Sequence, residues 1–145
     1  MTTKNLLLMV ATTIPANQYA SYVVAFMAKK ISNIEKVTVF YAPNAVDMTK
    51  KGELKKLAIP DNVKELISSQ FEGMGPGDLP DDLEAMARFE KDQLGIEIAS
   101  CGTFHVMNGF ADSIDDTRNI EDFIVPLKLP EAWEMINSAD KILYF

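Results

Sequence analysis

From Leu6 to Ala11 every residue is apolar, in the run NLLLMVA at 5–11. A strand with one wet face alternates apolar and polar side chains, so a run without alternation marks a strand covered on both faces. A chain that begins this way has to bring helices to both sides of a sheet. The next segment, PANQYASYVVAFMAKKI at 15–31, supplies the first. It sets Ala16, Tyr19, Ala20, Val23, Val24, Met27 and Ile31 at helical spacing, with Pro15 in the first turn and Lys29 and Lys30 in the last. Strand followed directly by amphipathic helix opens a βαβ unit.

The alternation continues. KVTVFYA at 36–42 is β-branched and aromatic and predicts a second strand, whereas PNAVDMTKKGELKKLAIP at 43–60 is too polar for core and predicts one short helix between loops. Helical periodicity returns at 62–71 and at 80–94, the latter with Asp81, Asp82 and Glu84 in its first turn; the Gly-rich EGMGPGD at 72–78 separates the two. IEIAS at 96–100 predicts the third strand, and a short helix from Thr103 to Asn108 follows, which Gly109 can end. An acidic loop then leads to a short strand at 122–125, Pro130 opens a last helix, and DKILYF closes the chain as a strand. Strands alternating with helices imply right-handed crossovers and a mostly parallel sheet of about five strands, an α/β protein built as a three-layer α/β/α sandwich. The 145 residues, 48% of them hydrophobic, suffice for one domain, 1–145. Ligands of such sheets bind outside the carboxyl ends of the strands.

Charge and composition exclude several functions. At a net charge of −7 the surface field repels nucleic acid and anionic lipid, and the lysines at 50–51 and 55–56 read as a solvated face. The single cysteine and single histidine rule out an internal disulfide and a structural zinc, and point to a reducing, cytoplasmic setting. The apolar run Leu6–Ala11 is shorter than the ~7–15 residues of a signal core and the ~20 of a membrane span. Neither a metal nor an organic cofactor is called for, and neither nucleic acid nor membrane is expected as a partner.

Chemistry concentrates at the third strand's carboxyl end. A thiol facing a helix N-terminus sits among unpaired N–H groups that favour thiolate, which makes Cys101 a candidate nucleophile. Gly102 permits close backbone approach, Thr103 is a candidate cap, and His105 lies one turn on as a possible proton partner. The opposing consideration is that free cysteine is among the most buried residue types. GMGPGD lacks the lysine and hydroxyl of a phosphate loop and reads as a flexible loop or lid, while DSIDD at 112–116 lacks the EF-hand pattern and reads as a solvated turn. Trp133 suits either a core or a subunit contact.

The order of these features resembles the DsrE/DsrF-like family of sulfur-relay proteins over nearly the whole chain. The resemblance rests on FYAPNAVDMTKKGEL, on LGIEIASCGTF with its approach to Cys-Gly, and on an aspartate, Asp140, before the terminal strand. It implies a flavodoxin-like three-layer fold, assembly into homotrimers or homohexamers, and a cysteine that carries sulfur as a persulfide between a donor and an acceptor protein with reactive cysteines. The carrier falls on Cys101, with the amides of Gly102 and Thr103 as anion stabilisers; the loop containing Asn44 and Lys51 matches a segment near the family's site. Two departures stand out. Asn108 precedes Gly109 where many members carry arginine, and with no second cysteine a persulfide must leave for an external thiol. Beside the carrier stand a non-catalytic oligomeric module that binds a small ligand at the strand ends, and a flavodoxin-type nucleotide protein. The latter is disfavoured because ATTIPANQY lacks a glycine-rich phosphate cradle.

Overall fold

A computed structural model describes residues 2–145. Five parallel strands form one sheet: β1 (Asn5–Val10), β2 (Lys36–Tyr41), β3 (Glu97–Cys101), β4 (Val125–Leu127) and β5 (Lys141–Tyr144), in the order β4-β3-β2-β1-β5. The helices are α1 (Pro15–Lys30), α2 (Asp61–Ser68), α3 (Leu83–Leu94), α4 (Gly102–Met107) and α5 (Leu129–Ser138), with short 3-10 turns at Pro43–Thr49, Leu54–Lys56 and Pro76–Asp78. Among the described residues no helix is long and apolar enough to cross a membrane.

The unalternated run of β1 is covered on both sides. Leu6, Leu8 and Val10 join Val37, Val39, Tyr41 and Ile98 on the face packed by α1 and α3; Leu7 and Met9 join Phe40, Ala99 and Cys101 on the face packed by Ala132, Met135 and Ile136 of α5. Each fully buried leucine of β1 contributes on the order of 1.5–3 kcal/mol through burial. The three-layer α/β/α sandwich with a parallel sheet follows from this pattern. Asp140 pins β5 beside β1, its carboxylate accepting from the backbone N–H of Lys4 and of Asn5, both at 2.8 Å.

Three local expectations need correction. The fourth strand is Val125–Leu127, not 122–125. Ile124 N–H instead closes a turn onto Glu121 O, Arg88 pairs with Asp122 at 2.9 Å, and Phe123 and Ile124 tuck into the α1/α3 side of the core. Pro126 is tolerated because β4 is an edge strand. The third helix begins at Leu83 rather than Pro80, since Asp82 serves as its N-cap and accepts from Ala85 N–H at 2.8 Å; Gly95, at φ +68°, ends it. The deepest face of α1 is Gln18, Ser21, Tyr22, Ala25 and Phe26, and the apolar stripe through Tyr19 and Val23 is only half-buried. Polar residues take the deep face because each finds a bond there: Gln18 Nε2 donates to Thr12 O, Ser21 Oγ to Gln18 O, and the Tyr22 and Tyr41 hydroxyls meet at 2.5 Å.

Candidate functional site

Cys101 ends β3 and occupies the N-cap position of α4, with extended backbone at φ −79°, ψ 99°. Its neighbour across the edge is Leu127, in register on β4. The side chain is 5% exposed and packs among Met9, Phe40, Ala99 and Ala132, beside Phe104 and Leu127. At Gly102 α4 runs close against β4. A Cβ there would stand 2.7 Å from Ile114 Cγ2, 3.2 Å from Leu127 O and 3.3 Å from Pro126 Cβ. Thr103 lies inside α4, and no side chain caps that helix.

His105 is fully buried, and its hydrogen bond goes to Ser100: Nε2 and Ser100 Oγ are 2.7 Å apart. Consecutive strand residues point to opposite faces, so Ser100 and Cys101 diverge, and the imidazole is committed to the face opposite the thiol. Among the described residues Nδ1 has no partner, and the ring packs against Phe110 at 5.1 Å between centroids. Burial holds the histidine pKa below its usual value, so the ring is neutral at pH 7. Lys50, not Lys51, reaches this corner, its ammonium 5.0 Å from the centre of the Phe110 ring. Lys51 is exposed and contributes a backbone bond to Asn119 O; Asn44 is exposed on the turn Pro43–Thr49.

Sequence reasoning missed Ser100, although its parity with Ile98 places it on the α1/α3 face. It also missed the layer that Ser100 belongs to. Tyr41 sits beside Ser100 in register and bonds Tyr22, and Gln18 lies one turn before Tyr22. Glu90 of α3 is fully buried, with both carboxyl oxygens unpartnered among the described residues. Burial raises the Glu90 pKa well above its usual value, because a carboxylate there would lose its hydration with no partner to replace it. Nothing in the composition announces this polar layer, because Tyr and Gln on a helix read as surface or rim.

A groove of about 680 Å³ lies between β3, β4 and α5, running from Lys36 and Glu97 at the amino ends to Leu127 and Pro130. Ala99, Leu127 and Met135 form its floor and belong to the same apolar cluster as Cys101. The acidic loop is closed upon itself: Asp116 accepts from Asp112 N–H at 2.8 Å, and Arg118 bridges Asp112 and Asp116. The segment 72–78 forms the turn Pro76–Asp78, with Asp78 accepting from Gly75 N–H.

No protein-family model and no curated protein sequence matches the chain. Among solved structures, the crystal structure of the ychN protein from E. coli is similar over 98% of this chain and 99% of that one, with a TM-score of 0.61 and 16% sequence identity. The two chains share one fold. At that identity the likeness carries the architecture, and the chemistry has to be argued from this chain's own residues.

Proposed function

We propose that the protein is a cytoplasmic sulfur carrier that holds sulfane sulfur as a persulfide on Cys101. The observation that carries this reading is the position of the only cysteine, at the carboxyl end of β3 and at the junction with α4, in a chain that resembles the DsrE/DsrF-like family. The Cys101 thiolate attacks the outer sulfur of a donor persulfide; a new S–S bond forms, the donor's S–S bond breaks, and the donor leaves as a thiolate. An acceptor thiolate then attacks the outer sulfur of the Cys101 persulfide, and Cys101 leaves as thiolate. Two electron pairs move and nothing is oxidised overall. Because Cys101 is nearly covered, loading requires the side chains around it to open, which ties transfer to docking of the partner that carries the reactive cysteine. Trp133, Leu129 and Tyr144, exposed on the α5 side, support contacts with a partner or with further copies in a homotrimer or homohexamer.

A second reading, a ligand-binding module, is favoured by the burial of the thiol beside the 680 Å³ groove. One experiment separates the two. Protein loaded with radiolabelled polysulfide, freed of excess donor and mixed with an acceptor thiol, passes its label in a single turnover, while Cys101→Ser carries none. Label that stays in place, or is delivered equally by Cys101→Ser, leaves the module as the better account.

A further inference from the structure

The opposite face of the sheet holds a second feature. A cavity of about 320 Å³ lies among α1, α2 and α3, lined by Val23 and Phe26 of α1, Val63 and Ile67 of α2, and Leu83 and Met86 of α3. Among the described residues Tyr19 is the one polar side chain in its wall, and its hydroxyl hydrogen is already used, donated to Ala58 O at 2.6 Å. The half-buried stripe of α1 therefore has a physical role. Tyr19 and Val23 of that stripe, with the buried Phe26, at i, i+4 and i+7, face Val63 and Ile67 on α2, at i and i+4, across a gap instead of packing together. Phe71, edge-on to Phe26 at 5.8 Å between ring centroids, closes one end, and the Lys64–Asp81 ion pair ties α2 to the segment that carries Leu79 and Leu83.

We propose that this cavity binds an uncharged hydrophobic molecule of about the size of naphthalene. Volume sets the size: the space is roughly twice the ~150 Å³ apolar cavity that stays dry and takes up benzene. The walls set the chemistry. A charged or strongly polar ligand would lose its hydration with no free side-chain donor and only the Tyr19 oxygen as an acceptor to replace it, at a cost of about 2–7 kcal/mol for an amide or hydroxyl and more for an ion. Water is disfavoured for the same reason, since it needs at least two polar partners. The site is independent of Cys101, which packs on the other face of the sheet.

Methyl NMR of the intact chain titrated with naphthalene tests this. Saturable shift changes are expected at Val23, Val63, Ile67, Leu79, Leu83 and Met86, with none at Leu7, Met9 or Leu127. Val63→Phe, which places a ring in the space, should abolish the effect, and Leu66→Ala, on the exposed side of α2, should leave it intact. No saturable change up to naphthalene's solubility limit overturns the proposal, as do changes centred on the α5 face or undiminished binding by folded Val63→Phe. Should Val63→Phe fail to fold, the wild-type shift map decides alone.

Discussion

Gly102→Ala exposes how tightly the carboxyl end of β3 is built. The new methyl would meet Ile114 Cγ2 at 2.7 Å, and that half-buried loop side chain can yield by changing rotamer. It would also meet Leu127 O at 3.2 Å and Pro126 Cβ at 3.3 Å, and these belong to β4, which cannot recede without weakening its pairing with β3 at Cys101. Overpacking of this kind costs about 1–3 kcal/mol. Replacing glycine in a helical first turn returns up to about 1 kcal/mol. The clash wins, for a net loss of about 1–2 kcal/mol. For a chain of this size that lowers Tm by roughly 3–6 °C in scanning calorimetry. Adding Ile114→Ala should recover only part of the loss, because the β4 contacts persist. An unchanged or raised Tm for Gly102→Ala would refute the close approach of α4 to β4.

Glu90 couples stability to pH. Its folded pKa is raised, so the folded chain keeps a proton that the unfolded chain releases above about pH 4.3. Stability therefore falls as pH rises from there, by up to about 1.4 kcal/mol per pH unit, and urea denaturation at several pH values should show Glu90→Gln removing that slope. Ser100→Ala leaves the buried imidazole of His105 without its one partner, and the same denaturation should register a loss of about 1–3 kcal/mol. Asp140→Ala removes the acceptor of the Lys4 and Asn5 amides at the start of β1, and hydrogen exchange at both should accelerate about two- to tenfold, corresponding to about 0.5–1.4 kcal/mol.

The layer architecture was legible because it depends on local patterns: the doubly covered run of β1, the amphipathic spacing of the helices, and turn residues between them. What escaped depends on pairing between segments distant in the chain. Helical spacing picks out Tyr19 and Val23, but only the Tyr41 hydroxyl on β2 explains why Tyr22 goes deeper. Likewise, the i to i+4 interval between Cys101 and His105 implied proximity, whereas strand parity hands the histidine to Ser100. The position of Cys101 at a strand end could be read from sequence. Its cover could not, since Met9, Phe40 and Ala132 come from three other elements.

Intact mass after brief incubation with polysulfide near neutral pH tests the carrier claim most directly. Wild-type protein should gain the mass of sulfur in an adduct that a reducing agent removes, and Cys101→Ser should gain none. Absence of any adduct, with Cys101 alkylated only after unfolding, would contradict it.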